Sequence, residues 1–414
     1  MRRNRQQAGS PSHAGDRNGV SVWYGSEIEP AVQSIVSELQ PFDGLGPASR
    51  VVIKPNIVLS RKQWLGANTQ PAVVEALITL LHERGVHNIT VADGAGMGES
   101  ATRAFSICGY TEIARRYGVE LLDIERGQFI DVPTRSDGPF SSLSISRTVA
   151  ECDYLINVPV LKAHCQTRIT CSLKNLKGVM TSGLKSAFHG RDLERAIAQL
   201  GEVVAPDFIL VDGTYGDLSS ELGGNPINIG IVAGGYDPLQ IDCFAAQTLG
   251  YRPGEIKHLA HYARFRGVDL DSLQPAITEL NRPRAARTFQ TSVRGHESYR
   301  CEVSVGNTCS TCYANLLFAL RRMSSLRLLD RNDRIWIGRK PPLTDSGGKG
   351  RRIMVGDCAI DDVAPGPGRS GATGRGRCAE VSAGPSDAAG GTVQIPGCPP
   401  SADAVVRAVR EASA

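Results

Sequence analysis

The chain has 414 residues, of which 41% are hydrophobic and 21% are charged, and its formal net charge is +4. This composition can supply a sizeable core and excludes a wholly disordered protein, whereas so small a charge for this length argues against a dedicated nucleic-acid-binding protein. No run approaches the roughly 18 apolar residues that would span a bilayer, and no apolar segment follows the basic N-terminus as a secretory signal requires, so we expect a cytoplasmic protein whose partners include neither nucleic acid nor membrane.

Residues 51–267 alternate short β-rich runs with longer helical runs, and this alternation predicts an α/β fold with a mainly parallel sheet and flanking helices. The polar residues 1–19 predict a disordered lead. The predicted strands are 51–58, 88–93, 119–124, 154–158 and 208–212. One predicted helix begins at Pro71 and ends before Gly85, and two others cover 193–204 and 238–249.

We predict an α/β core domain over residues 20–270, a connector over 271–300 and a small cysteine-rich α+β domain over 301–414. The last of these contains an amphipathic helix (CSTCYANLLFALRRM), two short strands (RIWIG and RIMVG) and a final helix (SADAVVRAVREAS). Residues 361–392 have the Gly-rich composition of a flexible insert. Residues 321–352 contain ten basic and three acidic residues, which indicates either a solvated face or a docking site for an acidic redox partner.

The chain has eleven cysteines, an odd number that excludes complete internal disulfide pairing. In a cytoplasmic protein we expect all of them to be reduced. Five lie singly in apolar or motif-rich segments and are typical of small buried side chains: Cys108, Cys152, Cys165, Cys171 and Cys243. The other six lie in the last third of the chain and are the candidates for chemistry: Cys301, Cys309, Cys312, Cys358, Cys378 and Cys398.

Four of these six have the pattern of a metal centre, and they are Cys309, Cys312, Cys358 and Cys398. The first two form a CxxC pair at the start of a predicted helix, the third follows a predicted strand, and the fourth precedes proline, as the last ligand of bacterial ferredoxins does. Converging thiolates predict a [4Fe–4S] cluster, with zinc and thiols without a metal as alternatives. Cys301 is an alternative ligand, and Cys378 in the predicted insert is expected to be a bystander.

The stretch INVPVLKAHCQTRITCSLKNLKGV, residues 156–179, is the densest group of polar side chains. It follows a predicted strand, and parallel sheets bind ligands at the carboxyl ends of their strands. Lysines would attract a carboxylate or phosphate, amide and hydroxyl groups would orient it, and histidine could transfer a proton near neutral pH. The candidate catalytic residues are His164, Lys162 and His189. The candidate residues for binding an anionic substrate are Lys54, Asn56, Lys174, Asn175 and Thr170.

The alternative interpretation is that these residues are ordinary surface polar groups on a loop and helix, and that His189 caps a helix. Asp93, Asp212 and Asp242 lie near strand or helix ends, where a carboxylate more often caps a turn than catalyses a reaction. The turn GAGMGES has the wrong glycine spacing for a dinucleotide-binding loop. We therefore do not infer a nicotinamide cofactor from this turn.

Several motifs resemble the family known as domain of unknown function 362. The resemblance covers residues 51–267 and rests on IKPN, VADG, the LKAH and SLKNLKGV block, AFHG, FILVDG and AGGYDPLQID. Members of this family often carry iron–sulfur cysteines and have no settled activity, so the resemblance implies an iron–sulfur protein without naming a reaction. No CxxCxxCxxxCP run is present, which implies a single cluster held by dispersed cysteines.

The leading hypothesis is an iron–sulfur oxidoreductase that acts on an anionic small molecule, with the cluster passing single electrons. One alternative is a non-redox hydro-lyase in which an open iron site binds the substrate. Others are an electron carrier or binding module without chemistry of its own, and an α/β protein stapled by zinc. The sequence indicates neither the substrate nor the oligomeric state.

Overall fold

The computed structural model describes residues 19–62, 64–134, 137–281, 288–340, 350–363 and 392–413. They divide into two compact units, the first ending at Val293 and the second beginning at Arg294. This boundary falls inside the predicted connector. Residues 1–18 of the predicted lead and 364–391 of the predicted insert, with Cys378, lie outside the described residues.

The strands of the N-terminal unit are β1 (Gly19–Tyr24), β2 (Val51–Pro55), β3 (Ile89–Asp93), β4 (Glu120–Asp123), β5 (Phe129–Pro133), β6 (Ser142–Ser146), β7 (Tyr154–Val158), β8 (Lys162–His164), β9 (Arg168–Thr170), β10 (Phe208–Asp217), β11 (Pro226–Gly235) and β12 (Ala276–Glu279). Its α-helices are α1 (Ile28–Leu39), α2 (Pro71–Glu83), α3 (Ala101–Cys108), α4 (Tyr110–Tyr117), α5 (Arg147–Glu151), α6 (Ser172–Asn175), α7 (Ser182–Arg191), α8 (Leu193–Val203), α9 (Pro238–Thr248) and α10 (Lys257–Phe265). A 3₁₀ turn, Leu176–Val179, continues α6.

Eight strands form one sheet in the order β12-β1-β11-β10-β7-β2-β3-β4. Only β11 pairs antiparallel with its neighbours β1 and β10, and the other pairings are parallel. The prediction of an α/β fold with a mainly parallel sheet is therefore confirmed. Part of the predicted connector belongs to this sheet, because β12 pairs with β1.

Alternation along the central strands divides the core between the two faces of the sheet. Val51 and Ile53 of β2 pack into one cluster with residues of α1 and α2, whereas Val52 between them packs into the other with residues of α8 and α9. Successive strand side chains point to opposite faces, and helices cover both, so β2 is buried throughout. Its first three residues are all apolar, and the charged Lys54 follows them near the carboxyl end of the strand.

Helix-start signals explain three of the predicted helices. Pro71 and Pro238 occupy the first positions of α2 and α9, where proline loses no hydrogen bond. The Asp237 carboxylate accepts from the backbone N–H of Leu239 at the start of α9, and Asp192 caps α8 in the same way.

The elements of the C-terminal unit are β13 (Glu302–Val305), α11 (Ser310–Ser325), β14 (Arg334–Ile337), β15 (Arg352–Val355), α12 (Asp357–Val363), β16 (Thr392–Ile395) and α13 (Ala402–Glu411). The strands form an entirely parallel sheet in the order β13-β14-β15-β16. Leu316 of α11, Val405 of α13 and Ile353 of β15 belong to its own apolar core. No helix in the described parts of either unit is long and apolar enough to cross a membrane.

Candidate functional site

The carboxyl ends of adjacent strands in the large sheet carry the first group of predicted site residues. Lys54 of β2 lies opposite Asn157 of β7 in the strand register, and Asp93 ends the neighbouring strand β3. In parallel sheets this edge collects the residues that follow each strand. The loops after β7 and β10 add the residues described below.

Lys54 forms a buried ion pair. Its Nζ lies 2.6 Å from Oδ1 of Asp93, and neither side chain is more than 2% exposed. Nζ also donates to the carbonyl of Pro55 at 3.0 Å and lies 3.4 Å from Oδ1 of Asn175. Burial lowers the pKa of Lys54 and raises the pKa of Asp93, and each partner opposes the shift of the other. The positive charge of Lys54 is therefore balanced inside the protein.

Asn175 extends this network across the site. Its Nδ2 donates to Oδ1 of Asn157 at 2.8 Å, and Nδ2 of Asn157 donates to the carbonyl of Ser172 at 3.0 Å. The start of α6 is fixed from the far side, because the Asp242 carboxylate accepts from the backbone N–H groups of Ser172 at 2.7 Å and Leu173 at 3.0 Å. Asp242 thus caps a helix, as the sequence favoured.

Lys162 and Asn56 share one acceptor. Nζ of Lys162 lies 2.5 Å from the carbonyl of Ala67 and 3.1 Å from that of Glu221, while Nδ2 of Asn56 donates to the same Ala67 carbonyl at 2.8 Å. Lys162 is fully buried, and this burial lowers its pKa to about 7. Thr170 lies opposite Lys162 in the β8–β9 hairpin, and its buried hydroxyl has no hydrogen-bond partner among the described residues.

His164 lies between a lysine and a carboxylate. Its Nε2 is 2.7 Å from Nζ of Lys174 and 3.7 Å from Oε1 of Glu221, and the histidine and the glutamate are buried. Nδ1 of His164 faces the backbone, accepting from the N–H groups of Gln166 at 3.1 Å and Thr167 at 3.3 Å. Since Nδ1 is an acceptor, the proton of the neutral ring is on Nε2.

His189 forms a second pair of this kind. Its Nε2 lies 3.1 Å from Nζ of Lys177, and its buried Nδ1 has no hydrogen-bond partner in the described structure. Burial and the neighbouring lysines hold the pKa of both His164 and His189 well below 6.5. Lys174 and Lys177 act on both rings, which places the two pairs in one electrostatic environment.

We call this group the cationic cluster, and its members are Lys162, His164, Lys174, Lys177 and His189. The structure brings together in this region all eight residues predicted from the sequence for the α/β part. Lys177 lies beside them and is one of the lysines that the sequence predicted to attract a carboxylate or phosphate. Glu221 and Cys165 were not predicted, and Glu221 comes from the loop after β10, where no sequence pattern marks it.

Glu221 also creates a group with the composition of a metal site. Of the described residues, only His164, Cys165 and Glu221 form a set of three ligand atoms within 4.8 Å of one another. Cys165 donates to Glu221 twice, from its backbone N–H and from its thiol, each at 3.1 Å. A ligating histidine usually donates its other ring N–H to a neighbour, but Nδ1 of His164 accepts instead, so this set does not fit a metal bound at Nε2.

The four cysteines predicted as ligands come together in the C-terminal unit. Cys309 precedes α11 as its N-cap residue, and Cys312 follows in the first turn. Cys312 hydrogen-bonds to Cys309, Cys398 hydrogen-bonds to Cys358, and electrostatic interactions join the two pairs. Since all four strands of this sheet run parallel, the loops carrying the cysteines follow the carboxyl ends of β13, β15 and β16.

Two glycines bring the loops after β15 and β16 together. Gly356 and Gly397 have φ values of +89° and +130°, a region that favours glycine. The backbone N–H of Asp357 donates to the carbonyl of Gly397 at 3.2 Å, and the N–H of Gly397 donates to the Asp357 carboxylate at 2.8 Å. The GDC and GC segments are thus hydrogen-bonded to each other, which explains how Cys358 and Cys398 meet.

The thiols of this group differ in acidity. The hydrogen bond to Cys309, followed by burial, raises the pKa of Cys312. The hydrogen bond from Cys398, assisted by the Arg339 guanidinium, lowers the pKa of Cys358 to about 6. Cys301 packs against the apolar core, and burial and Asp333 raise its pKa to about 11. No disulfide joins any of the ten cysteines of the described residues.

The fold and these two sites define an α/β protein with a buried cationic site and a separate cysteine-bearing unit. Residues 51–247 match the model of the family described as "Domain of unknown function (DUF362)". The resemblance to this family that the motifs predicted is therefore confirmed over these residues.

Two known proteins are similar to parts of this chain. The thylakoid-associated protein sll1697 of Synechocystis sp. (strain ATCC 27184 / PCC 6803 / Kazusa) is 27% identical over 268 residues, which are 62% of this chain and 80% of that protein. The lactate racemase apoprotein from Thermoanaerobacterium thermosaccharolyticum matches with a TM-score of 0.34 and 12% identity. That match covers 61% of this chain and 58% of the racemase chain, which is less than two thirds of its length.

Proposed function

We propose that the protein is a cytoplasmic iron–sulfur oxidoreductase that binds an anionic small molecule at the cationic cluster and a [4Fe–4S] cluster in its C-terminal unit. The four proposed cluster ligands are Cys309, Cys312, Cys358 and Cys398. The observation that carries the proposal is the meeting of these four thiols, which come from three separate parts of the sequence, at one edge of a small parallel sheet.

The sequence around Cys398 favours an iron–sulfur cluster over zinc. Cys398 precedes a proline, as the last ligand of bacterial ferredoxins does. Four thiolates could also hold zinc in a tetrahedron, and metal analysis distinguishes the two.

The surroundings of the thiols favour thiolates and a negatively charged cluster. Cys309 and Cys312 lie at the N-terminus of the 16-residue helix α11, whose dipole favours negative charge. Arg339 hydrogen-bonds to Cys358 and lowers its pKa. When bound, a [4Fe–4S] cluster would exchange single electrons, and this chain's residues would hold it and stabilise its charge.

The charge of the cationic cluster favours an anionic ligand. The buried Glu221 carboxylate favours the protonated forms of Lys162 and Lys174 by raising their pKa. Burial and the neighbouring lysines favour the neutral forms of the two histidines. Lys177 lies in the same environment, since its charge lowers the pKa of both histidines, and it would pair with a bound carboxylate or phosphate. The unpartnered hydroxyl of Thr170 and Nδ1 of His189 are available as hydrogen-bonding groups for that ligand.

The basic segment 321–352 is proposed to dock an acidic redox partner.

Metal analysis tests the proposal directly. The chain purified anaerobically should contain iron and acid-labile sulfide, and reduction with dithionite should produce an EPR signal. Single Ser substitutions at Cys309, Cys312 and Cys358 should reduce the iron content, whereas Cys301→Ser, in the same unit, should leave it unchanged. Zinc in place of iron would refute the cluster, and an equal loss in Cys301→Ser would refute this set of four ligands.

The variant Cys398→Ser distinguishes the oxidoreductase from the hydro-lyase, a second candidate that needs an open iron position. An oxidoreductase with four cysteine ligands should lose its EPR signal in this variant. Retention of both the cluster and the turnover would instead favour the hydro-lyase. A cluster that cycles reversibly without turnover of any small anion would favour an electron carrier.

A further inference from the structure

The contact between His164 and Lys174 indicates which of the two side chains carries a proton. Nε2 of His164 carries the ring proton, because Nδ1 accepts from the backbone N–H groups of Gln166 and Thr167. Nζ of Lys174 lies 2.7 Å from this Nε2. If Lys174 were protonated, its ammonium and the Nε2–H of His164 would both be donors and could not hydrogen-bond to each other at that distance. A neutral amine can accept the hydrogen bond from Nε2–H through its lone pair.

We propose that Lys174 is a nucleophile that forms an imine with an anionic carbonyl compound of the 2-oxo acid class. A neutral lysine amine is the form that attacks a carbonyl carbon. The lone pair of Nζ forms the new C–N bond, both hydrogens of the amine leave with the carbonyl oxygen as water, and a C=N bond remains. No oxidant or reductant is consumed in this step.

Two further observations support this role. Burial of Lys174 lowers its pKa, although Glu221 and Cys165 oppose the shift, and this direction favours the neutral amine. The residue is half-buried and not sealed in the core, unlike Lys54 and Lys162, whose Nζ atoms are held by Asp93 and by backbone carbonyls.

The neighbouring lysine explains why the substrate should be an anion. Lys177, like Lys174, acts on the rings of both His164 and His189, and its charge in this shared environment would attract the carboxylate of a 2-oxo acid. This inference deepens the anion-binding part of the proposed function and rests on it, but it is independent of the iron–sulfur cluster.

Reductive trapping tests the inference on the full-length chain. With pyruvate as the probe, borohydride supplies hydride to the C=N carbon and converts the imine into a stable carboxyethyl-lysine, which peptide mass spectrometry locates. The expected adduct is at Lys174, and Lys174→Arg should abolish it. The exposed lysine of α10 provides the matched control, and Lys257→Arg should leave the adduct unchanged. Adducts spread over surface lysines, or an unchanged yield in Lys174→Arg, would overturn the inference.

A pH profile separates a nucleophile from a structural lysine. In His164→Gln the glutamine carbonyl can accept from an ammonium, so Lys174 should stay protonated and trapping at neutral pH should fall about tenfold for each unit by which its pKa rises. The yield should recover at higher pH, which a folding defect would not allow. An unchanged profile would contradict the role of His164.

Calorimetric titration with pyruvate distinguishes this inference from the proposed function. If pyruvate binds but forms no adduct, the imine is overturned and the anion-binding site is retained. Failure to bind at all overturns both, whereas the iron content reports on the cluster separately.

Discussion

At the scale of single residues, two buried histidines should make the N-terminal unit sensitive to acid. His164 and His189 have a pKa well below 6.5 in the folded state, whereas in the unfolded chain it returns to about 6.5. As the pH falls below about 6.5, the unfolded chain binds protons that the folded chain does not, so stability is complete above this value and is lost below it. Each residue should cost about 1.4 kcal/mol per pH unit.

Urea unfolding between pH 7.5 and 5.5 measures this loss, with amide exchange of β7 peptides reporting on the N-terminal unit. His189→Gln should reduce the dependence on pH by about 1.4 kcal/mol per unit. A slope that does not change in His189→Gln would show that this ring is not held neutral.

The individual site residues were partly predictable. The lysines, histidines and asparagines of the LKAH and SLKNLKGV motifs lie in sequence where a strand ends, and the structure places them at that edge of the sheet. What they contact was not predictable, because Lys54 meets Asp93 and His164 meets Glu221 across 39 and 57 positions of sequence. Pairing over such distances depends on strand order, which no local pattern encodes.

At the scale of elements, the turn after α6 requires a glycine at position 178. A Cβ atom at Gly178 would lie 1.8 Å from Oδ1 of Asp93 and 2.6 Å from Nζ of Lys54. Gly178→Ala should therefore overpack the site and separate the buried ion pair, destabilising the N-terminal unit by about 3 kcal/mol or more.

A second glycine nearby provides the control for this prediction. At Gly183 in α7, a Cβ atom would meet nothing closer than Oγ1 of Thr181 at 3.9 Å. Alanine is a better helix former than glycine by about 0.5–1 kcal/mol, so Gly183→Ala should be neutral or stabilising. Chemical denaturation compares the two variants, and similar stability losses in both would contradict the role of Gly178.

The elements themselves were predictable where caps and periodicity agree. The helix that begins at Pro71 and the strand Tyr154–Val158 are confirmed. The antiparallel insertion of β11 between β1 and β10 was not anticipated, since parallel and antiparallel strands have the same local pattern when both faces are buried. The three-residue strands β8 and β9 are too short to show any period.

At the scale of the whole molecule, the two candidate sites belong to units with separate cores. The apolar clusters of the N-terminal unit draw no residue from beyond Phe289, and the cluster of the C-terminal unit begins at Tyr299. The parallel arrangement of the small sheet explains why dispersed cysteines meet, but it became visible only with the structure, because the strands of that unit have just four residues each.

Separate cores predict separate folding. Fragments 1–293 and 294–414 produced as independent chains should each show cooperative unfolding, because each retains its own buried apolar residues. The first should still form the pyruvate adduct at Lys174, and the second should still bind iron through its four cysteines. Near-UV circular dichroism and calorimetry check the folding, and mass spectrometry and iron analysis check the two sites. A fragment that loses near-UV signal and binds a hydrophobic dye would show that its core depends on the other unit, and the division of the molecule into two autonomous sites would then be wrong.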